Sequence, residues 1–232
     1  MYYYWDPTYI LVLIGAVICL IASARVKTTF NKYSKYRSMS GMTGAQAAER
    51  ILRAAGINDV RIRQVSGSLT DNYNPSDKTL NLSESVCNAT TVAAVGVAAH
   101  ECGHAIQHAR GYAPLAFRSA LVPVANFGSM LAWPVILVGA LINNQMSMTV
   151  INIGIVLFSL AVLFQLVTLP VEFNASRRAL VMLRDQGILG DQELGYTKKV
   201  LGAAALTYVA SAAAAILQLL RIILLFGGKR RD

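Results

Sequence analysis

Four stretches, residues 9–24, 119–142, 148–169 and 201–226, are long and apolar enough to cross the hydrocarbon core of a bilayer, a span of about 20 helical residues. A chain crossing lipid must satisfy its backbone hydrogen bonds within itself, so each stretch is expected to be a helix. Charged residues make up only 14% of the chain, against about 25% in a soluble domain, which argues against packing these stretches inside a water-soluble fold. The first stretch lacks the basic lead of a secretory signal: only Asp6 is charged before it, and Arg25 and Lys27 follow directly. It reads as a retained anchor.

The net charge is +9, and the basic residues sit in loops beside the apolar spans instead of forming one patch interleaved with aromatics. That distribution fits the positive-inside rule and speaks against nucleic-acid binding. Residues 25–118 carry 12 Lys and Arg, and residues 171–200 carry 5. Two spans separate these regions, so both fall on one side, the cytoplasm, with the amino terminus and the 143–147 turn outside. Four full crossings would put Lys229, Arg230 and Arg231 outside as well. Either this tail is an exception, or the last segment, interrupted by Arg221, does not cross completely. Cys19, Cys87 and Cys102 are scattered, which suits a reducing compartment and gives no thiolate metal site.

Between the spans the chain reads as a small α+β region. Residues 27–37 form a basic connector at the membrane surface. A helix is expected over 44–55, with Thr43 as N-cap and Gln46 completing a capping box. Alternation in 59–65 and 78–83 predicts two strands that can pair beside the next helix, and the stretch 67–77 between them is rich in turn formers. That next helix runs over about 90–110 and is closed by Gly111 and Pro114. Past the third span Pro170 permits a kink, a helix follows over 171–184, and 185–197 reads as loop with a short helical piece. The alanine-rich run 203–215 suits close helix packing in a membrane.

The chemistry concentrates in His100, Glu101, Cys102, Gly103 and His104, an H-E-x-x-H pattern on that predicted helix. Residues four apart on a helix lie about 40° apart around the axis and roughly 6 Å along it, so both imidazoles can converge on one ion. Zinc accepts imidazole readily, and a site with three protein ligands keeps a fourth position for water. Glu101 stands beside the first ligand, where it can take a proton from that water and later deliver it to a leaving amine.

A third ligand follows by elimination. His108, the one other histidine, is eight residues past His100, about 12 Å along the axis, and too far to reach the same ion. It reads as a surface or supporting residue. The extended metzincin pattern would need glycine at Gln107 and histidine at Arg110, which excludes that class. A carboxylate, or less readily a cysteine, must serve. Glu172 stands at the start of a helix leaving a span on the histidines' side, whereas Asp185, Asp191 and Glu193 fall in predicted loop.

The segment HECGHAIQH, preceded by DNYNPSDKTLNLS and followed by LPVEFNASRRAL and LTYVASAAAAILQLLRIILLF, resembles the YugP-like family of membrane zinc metallopeptidases over nearly the whole chain. The resemblance implies a cytoplasm-facing gluzincin-like site with one zinc ion and Glu172 as third ligand, distantly similar to HtpX-type and CAAX-prenyl membrane proteases. Those proteases usually carry aspartate four residues after the ligand glutamate, where this chain has Ser176. Nothing in the sequence indicates a prenyl substrate.

Supporting roles are open. Residues 78–83 can be an edge strand that binds an extended peptide or can simply complete the sheet. Asp71, Asn72 and Tyr73 can line the cleft. Asn72, Tyr208 and Arg177 are candidate substrate or oxyanion contacts, against the plainer readings of a packing tyrosine and a positive-inside arginine. Arg221 and Gln218 are costly in an apolar segment and are expected to face protein or to mark incomplete crossing.

The expected fold is mainly α, with about four transmembrane helices and a small α+β cytoplasmic zinc-peptidase region, 25–118 and 171–200, within one domain of 1–232. The expected function is a membrane-embedded zinc endopeptidase of the plasma membrane acting on membrane-associated proteins. The alternative is a non-catalytic zinc-binding membrane scaffold, which predicts loss of the base, yet Glu101 is present. A transporter would place its ionisable groups at the bilayer midplane, which this chain does not.

Overall fold

The computed structural model describes residues 6–226. Lys229, Arg230 and Arg231, whose side of the membrane the sequence leaves open, lie outside the described residues. The elements in chain order are α1 (Tyr9–Tyr33), α2 (Gly44–Ala54), β1 (Arg61–Val65), β2 (Asn72–Asn74), β3 (Thr79–Ser83), α3 (Glu84–Cys87), α4 (Val92–Ala109), α5 (Ala113–Leu141), α6 (Ser147–Asp185) and α7 (Asp191–Phe226). The chain is mainly helical, and α1, α5, α6 and α7 are long and apolar enough to cross a membrane. It divides into two compact units.

Of the described residues, the first unit comprises 6–22, 117–169 and 207–226. Its helices leave large apolar side chains open, among them Leu20, Phe127, Met130, Leu137 and Val156. Apolar surface on this scale suits lipid and not water. Small residues let helices approach within the unit: a Cβ on Gly15 of α1 would lie 3.2 Å from Ala214 of α7, within the alanine-rich run. Arg221 is buried, pairs with Asp6 at 3.2 Å, and stacks its guanidinium over the Tyr9 ring at 4.1 Å. It faces protein, as its cost in an apolar segment requires, and α7 continues unbroken past it.

The second unit comprises residues 23–116 and 170–206. Thr43 and Gln46 form the predicted capping box at the start of α2, and the buried face of that helix, Ala47, Ala48, Ile51 and Leu52, joins the core. Leu80 and Leu82 of β3 and Val92, Val95, Ala98, Ala99 and Cys102 of α4 supply its centre. The sheet has the order β1-β3-β2, with β1 parallel and β2 antiparallel to β3.

One open choice is decided and three expectations are corrected. The 78–83 strand completes the sheet as its centre, with every residue of β3 buried, so the sheet edges are β1 and β2. The 67–77 stretch is not all loop, because Asn72–Asn74 adds the third strand. The basic connector 27–37 is helical through Tyr33, since polarity ends a span without ending a helix. Loop after α6 occupies only 186–190: Gly187, at φ 58°, closes α6, and α7 begins at Asp191. Acidic Asp191 and Glu193 suit its first turn, and Glu193 accepts from Gly190 N at 2.9 Å. Pro170 is accommodated inside α6, which runs on through it.

Candidate metal centre

Helix α4 begins at Thr91, whose side chain accepts from Ala94 N at 3.3 Å. Its periodicity then sets His100, His104 and Gln107 along one face and Glu101, Ala105 and His108 along the next. Gly103 brings α6 close, because a Cβ there would lie only 2.5 Å from the carbonyl oxygen of Ala175. The approach carries Glu172 to the histidines. His100 Nε2 is 3.2 Å and His104 Nε2 3.4 Å from Glu172 Oε2, and the potential ligand atoms of the three residues all lie within 4.8 Å of one another. The two imidazole rings meet edge to face at 4.8 Å.

The other ring nitrogens are also engaged. Ser176, one turn past Glu172, places its hydroxyl 3.1 Å from His100 Nδ1. Gln107 is fully buried and donates from Nε2 to Val171 O at 2.8 Å and to Asn174 Oδ1 at 3.1 Å. Asn174 Oδ1 accepts again, from Arg178 Nε at 2.7 Å. With both amide protons spent, Gln107 presents its oxygen to His104 Nδ1 at 3.0 Å, so Nδ1 carries a proton and Nε2, which faces Glu172, is the nitrogen a metal ion would take in place of a proton. The tautomer follows from the hydrogen-bond network.

Glu101 is 8% exposed and accepts from Tyr73 N at 2.9 Å. Burial pushes its carboxyl above the usual range, against the pull of the His100 and His104 charges. Burial also acts to raise Glu172, but hydrogen bonds from both imidazoles outweigh it and hold that carboxyl well below its ordinary value. For His104, burial opposes the charged form, yet the Glu172 hydrogen bond and the charges of Glu101 and Glu172 draw its affinity for a proton upward. The same pull would act on any cation. Two neutral imidazoles and two buried carboxylates match the charge of a divalent ion, and the donor set suits zinc.

Other sequence candidates fall elsewhere. Glu193 is buried with both oxygens occupied by Gly190 N and Met39 N, and Asp185 and Asp191 are exposed. Cys102 points its thiol at Ala48 O, 3.6 Å away, and burial raises it far above a thiol's usual range, so it offers no thiolate. Asn72 is exposed on β2, with its side-chain oxygen accepting from Asn81 at 3.3 Å. Arg177 is exposed and lines a cavity of about 400 Å³ with Arg184, Lys198 and the first turns of α7. Tyr208 is a half-buried residue of α7 in the first unit. Asp71 accepts from the Ser83 N–H and hydroxyl, which ties the loop before β2 to the end of β3. Sequence reasoning missed Gln107 and the Tyr73 backbone. A polar residue three positions past a ligand histidine was the available signal for the first, and a main-chain donor leaves none.

The helical fold, its apolar spans and a largely buried two-histidine, one-carboxylate cluster define a class, the membrane proteins equipped to hold zinc. Residues 8–227 match the model of a family described as "Putative neutral zinc metallopeptidase". The chain is also 45% identical over 205 residues to "Putative membrane protease YugP" of Bacillus subtilis (strain 168), covering 88% of this chain and 90% of that one. No solved structure matches. The chain belongs to this family of zinc metallopeptidases. It is a membrane protein of the protease class, acting on peptides, and zinc is its cofactor.

Proposed function

We propose that the chain is a multi-pass endopeptidase of the cell membrane whose zinc is held by His100, His104 and Glu172, with Glu101 as general base. The observation that carries this reading is the convergence of the three ligand groups within 4.8 Å, beside a buried carboxylate. When bound, the ion supplies Lewis-acid activation of water and of a peptide carbonyl. Glu172 and the Nε2 atoms of His100 and His104 would hold it. Gln107 keeps His104 in the tautomer that binding requires, and Ser176 meets the far ring nitrogen of His100. Glu101, raised by burial, takes a proton from the attacking water and passes it to the departing amine. Among the candidate oxyanion donors, Asn72 adjoins the residue that touches Glu101, which favours it over Arg177 and Tyr208.

The basic residues of 25–118 and 171–200 favour a cytoplasmic site, and the spans favour membrane-associated proteins as substrates. Retention of Glu101 favours this reading over a non-catalytic scaffold. Casein cleavage and zinc content of the detergent-solubilised protein test it: Glu101→Gln is expected to keep its zinc and lose at least about a hundredfold in rate. Undiminished cleavage by that variant would refute the assignment of the base.

A further inference from the structure

One residue joins β2 to α4 at two points. Tyr73 N donates to Glu101 Oε2 at 2.9 Å, and the hydroxyl of the same residue lies 2.8 Å from His108 Nδ1, with the two rings 5.9 Å apart. Glu101 and His108 are seven residues apart, two turns or about 10 Å along α4, a span that a tyrosine and its two hydrogen bonds cover.

The sheet makes the first contact available. Strand β2 pairs with β3 on one side only, Asn72 opposite Asn81 and Asn74 opposite Thr79 with Tyr73 between them. Bonded and non-bonded pairs alternate along an antiparallel ladder, so the Tyr73 N–H, spent on Glu101, points away from β3. The edge position of β2 thus leaves a main-chain donor free for a carboxylate on the helix. His108 is exposed and lies beyond the reach of the metal cluster, so its hydrogen bond to Tyr73 is the role the structure gives it.

We infer that Tyr73, held at its hydroxyl by His108, is a positioning residue for Glu101. Its N–H fixes one carboxylate oxygen and leaves the other for the water that gives up its proton. This inference rests on Glu101 being the base. Displacement of a reacting group by about 1 Å costs up to about a hundredfold in rate, so loosening the staple should lower turnover while leaving the metal in place.

The test compares wild type, Tyr73→Phe, His108→Ala, the double variant, His108→Gln and Glu101→Gln in casein cleavage, with kcat, KM and zinc content measured for each. Tyr73→Phe and His108→Ala should each lower kcat about tenfold, with KM within about twofold and zinc at the wild-type level. The double variant should be no slower than either single one, because both remove the same bond. His108→Gln, which keeps a hydrogen-bonding partner for the hydroxyl, should recover most of the lost rate. Unchanged kcat in both single variants, losses that multiply in the double, or rate lost only in step with zinc would each overturn the inference. Because His108 is exposed, its variants decide the matter even where a change at Tyr73 prevents folding. Full cleavage by Glu101→Gln would remove the base and this inference with it. An inactive Glu101→Gln beside fully active Tyr73→Phe and His108→Ala would overturn the staple alone.

Discussion

Gln107 Nε2 donates to Val171 O at 2.8 Å while Gln107 Oε1 accepts from His104 Nδ1 at 3.0 Å, so a single amide spans from a histidine of α4 to the residue before Glu172 on α6. Replacing it with leucine strips His104 of its orienting acceptor and leaves the Val171 carbonyl without this donor. Gln107→Leu should weaken zinc binding about 10- to 100-fold in competition with a chelator. Unfolding of the metal-free protein should show a loss of about 1–3 kcal/mol. An unchanged chelator titration would mean the amide has no bearing on the site.

Gly103 sets the separation of α4 and α6. A methyl group there meets the Ala175 backbone, which cannot rotate away as a side chain would. Gly103→Ala gains about 1 kcal/mol of helix propensity but should still lower stability by about 1–3 kcal/mol through overpacking. Zinc binding should weaken with it, because Glu172 lies on the displaced helix. Thermal unfolding and metal content report both effects, and a stabilised, fully loaded variant would contradict the close approach.

Asp71 gives a pH dependence. Burial raises its carboxyl above the ordinary 3.8, despite the hydrogen bonds from Ser83. The folded state then binds this proton more tightly than the unfolded state. The stabilisation it contributes is complete below 3.8 and is lost as pH rises through the folded value. Asp71→Asn, which keeps an acceptor for Ser83, should flatten the fall in melting temperature between about pH 4 and neutrality. Parallel melting curves for the two proteins would show that Asp71 has no part in it.

The proposed orientation places the 143–147 turn outside the cell. In a cysteine-free background, Asn144→Cys should react with a membrane-impermeant thiol reagent applied to intact cells, whereas Arg177→Cys should react only after lysis. The reverse pattern would invert the topology.

The spans and the metal helix were legible because both rest on local periodicity: continuous apolar runs for one, the four-residue spacing of His100 and His104 for the other. The capping box of Thr43 and Gln46 was legible for the same reason. Strand β2 was not, since three residues flanked by turn formers carry no alternation, and its pairing depends on where β3 lies. The central place of β3 is likewise a tertiary fact: KTLNLS alternates as an edge strand would, yet both its polar and apolar residues are buried by neighbours. Pro170 removes one hydrogen bond from α6, a local cost the long helix absorbs. Ser176 meets His100 with its hydroxyl, a contact that depends on how α6 packs against α4 and so has no local signature.

Zinc stoichiometry of wild type and Glu172→Ala, purified in detergent and measured by elemental analysis after dialysis, tests the central claim most directly. The account predicts about one zinc per wild-type chain and a large loss in the variant, because removing one of three ligands leaves two imidazoles that hold the ion weakly. A wild-type chain without divalent metal, or a Glu172→Ala variant as fully loaded as wild type, would contradict it.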